Sequence, residues 1–370
     1  MLQLKNTTPF AAHIAVLPDE DGVDTLYVTI KATFSLGARL EVADPQPPVL
    51  LADEFWGEPG QSSLKYAADV HLVKPSTDIA LVGQAHSPGR KPVAQLDVSL
   101  AVAGRKKVVR VFGDREWRPG FACIPASTTT PAPFKSMPLV YERAFGGLHE
   151  VEGKKPEILF EPRNPVGQGF VGKRKGRELK GLPLPNLEDP KQPIGGPKLR
   201  PAPAGFGYIA PAWEPRKSFA GTYDDAWLKK RAPYLPKDFD PRFFNAAHPD
   251  LVTERYLEGG EKVEALNVTP GAKRANVSAP AEMPAIVRPN VARPAAAPAR
   301  APVIAPSTTN GPRTIQRGAP TSCMIVTSSR REWMAALTLL MVTVTATNAS
   351  TARKARPPTA MPKITAWIRW

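Results

Sequence analysis

The sequence is poor in cysteine, and this scarcity excludes a fold held together by disulfides. Only two cysteines occur in 370 residues, Cys123 and Cys323, and they lie far apart along the chain. Disulfide-rich domains need several closely spaced pairs, and disulfides persist mainly in oxidising compartments. We therefore expect a protein without disulfides in a reducing compartment, the cytoplasm.

Long apolar runs are also missing. The most apolar stretch, residues 334–346, is shorter than the ~20 residues that a membrane-spanning helix needs, and threonines interrupt it. Residues 1–9 show no basic segment followed by an apolar one, which a secretory signal requires. We expect no contact with a membrane.

Acidic residues are nearly absent from one end of the chain. Residues 271–370 hold 14 of the 49 Lys and Arg but only 2 of the 34 Asp and Glu, and no Asp, Phe or Tyr occurs there. The first 270 residues thus carry a formal charge of +3 out of the total of +15. Nucleic-acid binding requires a clustered basic face, so it is not expected of residues 1–270.

The same change of composition predicts two regions. Residues 1–268 are expected to form one β-rich domain. Residues 269–370, rich in Pro, Ala and Arg, are expected to be disordered, because few aromatic or patterned apolar side chains offset the entropy of ordering. A natural flexible arm is one explanation. We prefer a shifted reading frame, since the loss of a whole acidic residue type indicates that codons set this composition; reading the gene's other two frames after codon 270 separates the two.

Alternation of apolar and polar residues predicts a first hairpin near the N-terminus. Between residues 26 and 34, Leu26, Val28 and Ile30 alternate with polar side chains, which predicts a strand with one face in the core and one in water. The apolar residues 13–17 precede it, and the turn-forming residues 18–22 connect the two segments.

A second hairpin and a buried strand follow. Residues 96–102 and 108–112 alternate in the same way around the turn-forming residues 104–106. Residues 79–83 form a short apolar run between prolines, typical of a buried strand.

Regular structure is expected to become sparse further along. Frequent prolines and glycines in residues 120–215 predict long ordered loops. Residues 222–231 have the best helical pattern, with Thr222 as the N-cap and Pro233 beyond the end. The predicted fold is therefore mainly β, with antiparallel, sandwich-like sheets, long ordered loops and one or two short helices.

Motifs of catalysis are weak. Asp69 and His71 stand two residues apart on one face of a predicted strand, a spacing that suits two metal ligands, but one pair does not make a site. His248 and Asp250 flank a proline, which favours a turn. No nucleophile elbow occurs, and no Walker-type loop with its closing Ser or Thr. We expect no enzyme and no cofactor.

The densest basic run of the body, residues 173–177, is interpreted as a solvated loop, since no aromatic residues interleave with its charges. Aromatic and Arg- or Asn-rich loops are more conspicuous. Trp, Tyr and Arg are the residues that most often anchor interfaces, whereas Asn and Gly more often satisfy the loop backbone. For the aromatic residues, an interface and simple packing of the loops remain equally good interpretations.

Six segments in these loops resemble a bacterial family, domain-of-unknown-function family 2169 (DUF2169). They are 63–69 (SLKYAAD), 138–147 (PLVYERAFGG), 163–167 (RNPVG), 184–190 (LPNLEDP), 221–224 (GTYD) and 238–247 (DFDPRFFNAA). The resemblance covers about residues 1–268, and it is expected to stop after residues 266–268. It implies an accessory adaptor or chaperone of type VI secretion, whose partners are a secreted effector protein and the VgrG and PAAR spike proteins. It brings no catalytic residues.

Our hypothesis is therefore a cytoplasmic adaptor that captures an effector through its loops or a β-surface. The candidate partner-binding residues are Trp56, Tyr66, Tyr141, Arg143, Phe145, Arg163, Trp213, Trp227, Arg242 and Phe243. The alternative is a hydrolase-like enzyme that uses Asp69, His71 and nearby carboxylates such as Asp240; convergence of these side chains in one pocket would favour it. The sequence leaves open which effector binds, the strand order and the oligomeric state.

Overall fold

The computed structural model describes residues 3–19, 22–36, 40–120, 125–257, 261–270, 272–278, 323–328, 337–338, 346–348 and 365–367. Most of the segment predicted to be disordered, and also Cys123, lie outside the described residues.

Strands are the main regular elements of the chain. In the first half they are β1 Gln3–Lys5, β2 Ala11–Pro18, β3 Asp24–Lys31, β4 Phe34–Leu36, β5 Leu40–Val42, β6 Glu54–Phe55, β7 Leu64–Tyr66, β8 Asp78–Val82, β9 Gln84–His86, β10 Gln95–Val102, β11 Arg105–Phe112, β12 Trp117–Arg118, β13 Ser127–Thr128, β14 Ser136–Pro138, β15 Phe145–Gly146, β16 Leu148–Val151, β17 Glu157–Phe160, β18 Gln168–Gly169 and β19 Leu187–Glu188. They continue with β20 Lys262–Thr269, β21 Ala272–Ser278, β22 Cys323–Ser328, β23 Leu337–Thr338, β24 Ala346–Asn348 and β25 Thr365–Trp367.

Helices are short among the described residues. The α-helix α1 spans Asp225–Lys230. Single turns of 3-10 helix lie at Pro88–Arg90, Tyr141–Arg143, Gly176–Leu179, Arg216–Phe219, Pro241–Phe244 and Pro249–Leu251. No helix in the described part of the chain has both the length and the apolar character needed to cross a membrane.

The main sheet has five antiparallel strands in the order β19-β11-β10-β20-β21. At its centre β10 and β11 pair from Gln95 opposite Phe112 to Val102 opposite Arg105, so the second predicted hairpin is confirmed. Strand β21 pairs with β20 beyond residue 270. The sheet therefore crosses the position at which the composition changes.

The other sheets are smaller or mixed. A second five-stranded sheet has the order β5-β4-β23-β22-β8, in which β22 and β8 are parallel, and β2-β3-β24 form a three-stranded antiparallel sheet. Two-stranded pairs complete the architecture: β1-β25, β12-β13, β14-β9, β15-β18, β16-β17 and β6-β7. The prediction of a mainly β fold with antiparallel sheets and long loops is confirmed.

The core lies against the main sheet and β8. Alternate residues of β10, including Val98 and Leu100, are fully buried together with Ile79 of β8 and the loop residues Phe206 and Tyr208. Burial of such side chains is the main source of folding free energy, at about 25 cal/mol per Å² of apolar surface. The short apolar run at residues 79–83 is thus the buried strand that was predicted.

Two local predictions were wrong. In β3 the expected water face is the more buried one, because Thr25, Tyr27, Thr29 and Lys31 are buried whereas Leu26, Val28 and Ile30 are only partly so. The N-cap of α1 is Asp224, whose carboxylate accepts a hydrogen bond from the Trp227 amide at 2.8 Å, and not Thr222. Thr222 instead donates to Asp238.

Buried amides organise the loops of residues 140–190, as expected for the Asn and Gly positions. The Asn164 side chain donates to the carbonyls of Tyr141 at 2.8 Å and Phe145 at 3.0 Å. Gly146 has φ +154°, and a Cβ there would lie 2.1 Å from the Asn164 carbonyl oxygen. Only glycine allows this close backbone approach, and the loops are fixed as a result.

Candidate functional site

The most exposed tryptophan of the predicted set lies on the β6–β7 hairpin. Trp56 follows β6, and 46% of its surface is accessible. Its amide donates to the Ser63 carbonyl at 3.0 Å, and the Gly57 amide donates to Ser62 Oγ at 2.9 Å. The backbone under the indole is therefore held by the hairpin's own hydrogen bonds.

A lysine joins this tryptophan to a tyrosine. The Lys65 ammonium lies 5.5 Å from the Trp56 ring and 5.0 Å from the Tyr66 ring, within the range of cation–π attraction. Its Nζ also contacts Glu54 Oε1 at 2.7 Å. We call Trp56, Lys65 and Tyr66 the Trp56 patch.

The Trp56 patch is tied to the body of the protein through Glu142. Its carboxylate accepts hydrogen bonds from the Ser63 amide and the Ser63 hydroxyl, each at 2.7 Å. Leu64, the next residue, is almost fully buried in the core. The patch thus presents aromatic surface on a rigid support, which lowers the entropy lost when a partner binds.

Three of the predicted anchors lie in the core instead. Tyr141, Phe145 and Trp213 are only 3–5% exposed, and the Tyr141 and Trp213 rings meet edge to face at 6.0 Å. Burial, with a smaller effect of the Asp250 charge, raises the pKa of Tyr141 far above its ordinary value. These three aromatic residues pack the loops, so they offer no surface to a partner.

The predicted arginines Arg143 and Arg163 make hydrogen bonds within the protein. Arg143 donates to Asp114 at 2.8 Å and to Asn186 at 3.0 Å. Arg163 donates to Glu161 at 2.6 Å and, through its other nitrogen, to the Pro201 carbonyl at 3.2 Å.

Arg242 pairs with Asp240 at 2.6 Å and stacks 4.4 Å from the Phe219 ring. Phe243 packs with Phe239 and Phe244, at centroid distances of 5.5 and 5.6 Å. Both residues therefore stabilise the loop that carries the 3-10 helix Pro241–Phe244.

Trp227 belongs to a second aromatic surface. Its ring meets Tyr223 at 4.7 Å, and its indole nitrogen donates to the Tyr234 carbonyl at 2.8 Å. Tyr223 and Leu228 are 54% and 63% exposed. Neither was predicted as an anchor.

The side chains of the hydrolase alternative have separate partners. Asp69 is buried, pairs with Lys31 at 3.1 Å and accepts the Leu50 amide at 2.7 Å, and its burial raises its pKa. His71 packs 5.7 Å from the Phe244 ring, and burial, with the charges of Lys74 and Arg216, lowers its pKa well below the ordinary value. Asp240 binds Arg242, so the alternative gains no support.

A second buried ion pair was missed from the sequence. Lys74 contacts Asp78 at 2.7 Å, and both side chains are fully buried. Asp78 also accepts hydrogen bonds from the Asn245 amide group at 2.8 Å and the Ala246 backbone at 2.7 Å. The spacing of four residues is a signal of pairing only within a helix, and this segment is not helical.

His248 and Asp250 form the predicted turn. His248 caps the 3-10 helix Pro249–Leu251, and Lys107 lies 2.9 Å from Asp250 and 3.2 Å from the His248 ring. Burial, followed by the Lys107 charge, lowers the pKa of His248 to about 4. Among the described residues, no three His, Cys, Asp or Glu side chains are grouped as metal ligands.

Comparison with known proteins gives one match. A family model described as "Uncharacterized protein conserved in bacteria (DUF2169)" matches residues 21–311, which is most of the chain. The match continues beyond residue 268, where the resemblance was expected to stop. Neither a curated protein nor a solved structure matches the chain.

Proposed function

The chain belongs to the bacterial DUF2169 family, and from this premise we propose that it is an accessory adaptor of type VI secretion. In this proposal it binds a secreted effector in the cytoplasm and assists its loading onto the VgrG and PAAR spike. The sequence resemblance described above supports the secretion role. The described surface supports the binding role.

The observation that carries the proposal is the Trp56 patch. Tryptophan and tyrosine are residue types enriched in interface hot spots, where one side chain can contribute ~2 kcal/mol or more to binding. Isolated exposed apolar residues are ordinary on protein surfaces. Trp56 differs from these because its hairpin is fixed through Glu142 and its ring lies beside the Lys65 ammonium, which also lies beside the Tyr66 ring.

The effector segment would lie against the indole and the edge of the hairpin. Strand β6 is two residues long, so the hairpin offers little backbone for pairing and side chains would supply most of the contact. An adaptor must later release its cargo to the spike. A small anchored patch suits this requirement, because interfaces of low area dissociate readily.

Co-purification with the effector encoded beside the gene tests the proposal. The full-length chain and the effector are expressed together, and the complex is measured by affinity capture. Trp56→Ala is expected to reduce the captured effector at least about tenfold, equivalent to ~1.4 kcal/mol of binding free energy. The matched control is Phe160→Ala, which removes an aromatic ring of similar exposure, 49%, outside the patch.

Two outcomes contradict different parts of the proposal. If the unaltered chain captures no effector, the adaptor function is wrong. If Trp56→Ala and Phe160→Ala both capture as much effector as the unaltered chain, the adaptor function stands and the Trp56 patch is not its binding surface.

A further inference from the structure

A cleft of about 650 Å³ lies between two loops that the proposed function does not use. One loop runs from Phe170 through the 3-10 helix Gly176–Leu179, and the other spans residues 195–200. The volume falls within the ~300–1,000 Å³ that ligand-binding clefts usually have. We call it the basic cleft.

The charge of the basic cleft has one sign. Its lining includes five cationic side chains and no carboxylate: Lys173, Arg174, Lys175, Lys198 and Arg200. Lys173 pairs with Glu157 outside the lining, and Arg174 donates to the Phe170 carbonyl at 3.1 Å. Among the described residues, no carboxylate lies within ion-pair distance of Lys175, Lys198 or Arg200. Concentrating like charges in a concave site raises the local positive potential, which attracts an anionic ligand.

The floor of the basic cleft is apolar. Phe170 and Leu179 are buried beneath it, and Leu199 stands at its edge with 53% of its surface exposed. The Arg200 guanidinium lies 5.2 Å from the Phe170 ring, which holds this charge over the floor. A ligand that fits this lining combines negative charge with an apolar group.

The rim is fixed by contacts to the neighbouring hairpin and loop. The Lys173 amide donates to His149 Nδ1 at 3.0 Å, and a Cβ at Gly172, where φ is +60°, would lie 2.6 Å from the same nitrogen. On the opposite side, Arg163 donates to the Pro201 carbonyl at 3.2 Å, next to Arg200. A held rim keeps the cations in place before a ligand arrives, which lowers the entropic cost of binding.

The chain itself offers no suitable occupant in its C-terminal region. Residues 271–370 carry 14 Lys and Arg against 2 Asp and Glu, so the basic cleft repels them. The aromatic floor is also unsuited to nucleic acid, because Phe145 and Phe170 are only 3–4% exposed and bases need an open ring face for stacking.

We propose that the basic cleft binds a short acidic segment of a partner protein, one in which an apolar side chain accompanies several carboxylates. The carboxylates meet Lys175, Lys198 and Arg200, and the apolar side chain lies between Leu199 and the floor. This inference does not require the adaptor function, since it follows from the lining alone. It adds a binding role to residues 173–177, which the sequence indicates as a solvated loop.

Fluorescence anisotropy with a defined probe tests the inference on the full-length chain. The probe is a fluorescein-labelled peptide of about eight residues, made of Asp and Glu with two leucines. The control peptide has Asn in place of each Asp and Gln in place of each Glu. The acidic peptide is expected to bind and the amide peptide to bind at least about tenfold more weakly. Affinity should fall as salt rises from about 50 to about 300 mM, because exposed charges are screened over ~10 Å or less.

A matched pair of variants locates the binding. The double variant Lys175→Glu with Lys198→Glu is expected to bind the acidic peptide at least about tenfold more weakly, since two attractions become repulsions. Lys229→Glu with Lys230→Glu changes the net charge equally on the exposed end of α1 and should change affinity less than about twofold. Leu199→Ala should lower the affinity for the acidic peptide several-fold without changing how that affinity depends on salt.

Four outcomes would overturn the inference. The acidic peptide does not bind, or the amide peptide binds as tightly as the acidic one. The two double variants lose equal affinity for the acidic peptide. A single-stranded oligonucleotide of equal charge binds more tightly than the acidic peptide, and its binding depends on Lys175 and Lys198. Each leaves the adaptor test unaffected, because Trp56 lies outside the cleft lining. Conversely, peptide binding without effector capture would support the basic cleft and contradict the adaptor function.

Discussion

Two aromatic regions of similar sequence character differ completely in exposure. Trp56 follows a short strand, and nearly half of its surface is accessible, whereas Trp213 follows a run of buried loop residues and is 5% exposed. Trp213 meets Tyr141 edge to face, while Trp56 meets the Lys65 ammonium. The difference teaches that an aromatic residue in a Pro- and Gly-rich loop identifies an interface only after the packing of that loop is known.

Replacing Trp213 should have the largest effect. Trp213→Ala removes a buried ring from the contact with Tyr141, and changes of this kind cost about 3–5 kcal/mol of folding free energy. Trp56→Ala should cost less than about 0.5 kcal/mol, because an exposed ring loses little packing. Urea denaturation of both variants measures the free energy of unfolding. Equal losses of this free energy in the two variants would contradict the distinction between the two regions.

Loosening the support of the Trp56 patch should have an intermediate effect. Glu142→Ala leaves the buried Ser63 amide and hydroxyl without their acceptor, which should cost about 1.5–3 kcal/mol. Ser63→Ala removes only the hydroxyl and serves as the milder control. Effector capture should fall in Glu142→Ala by more than in Ser63→Ala. If capture by Glu142→Ala is unchanged in protein shown to be folded, the fixed support does not matter for binding.

The sequence predicted the elements whose signal is local. The hairpin of β10 and β11 follows from strict alternation, and the buried strand β8 follows from an apolar run between prolines. Strand β3 did not follow the same rule, because its more buried face carries polar side chains, and Lys31 on that face is buried through its pairing with Asp69. Partners 38 residues apart leave no periodic signal, so such a pair cannot be anticipated from spacing.

The two surfaces proposed to bind partners were predicted only in part. Trp56 and Tyr66 were identified by residue type, and so were Tyr141, Phe145 and Trp213, which proved to be core residues. The basic cleft was missed because its charges come from two loops more than twenty residues apart, and only the folded loops bring them together. Strand β21 and the family match both extend past residue 270, where the composition changes, and the shifted reading frame stays a prediction that the gene sequence tests.

Removing the exposed pair of Arg242 and Asp240 should have the smallest effect. Arg242→Ala should leave effector capture unchanged, because this arginine binds its own loop. The hydrogen bonds from Arg242 lower the pKa of Asp240. The small stability that the pair adds is therefore present above the ordinary Asp value of about 3.9 and is lost as pH falls through the lowered value.

Urea midpoints at neutral pH and near pH 2 check this sign. Any difference between the unaltered chain and Arg242→Ala should be visible at neutral pH and should shrink toward pH 2. A difference that grows on acidification would contradict the assigned direction of the Asp240 pKa.

Hydrogen exchange of the full-length chain with and without its effector tests the central claim most directly. We expect slower exchange in the β6–β7 hairpin, residues 54–66, when the effector is bound, and unchanged exchange around Trp213, which is already buried. A bound effector that leaves residues 54–66 unprotected would contradict the claim that this protein acts through its exposed tryptophan.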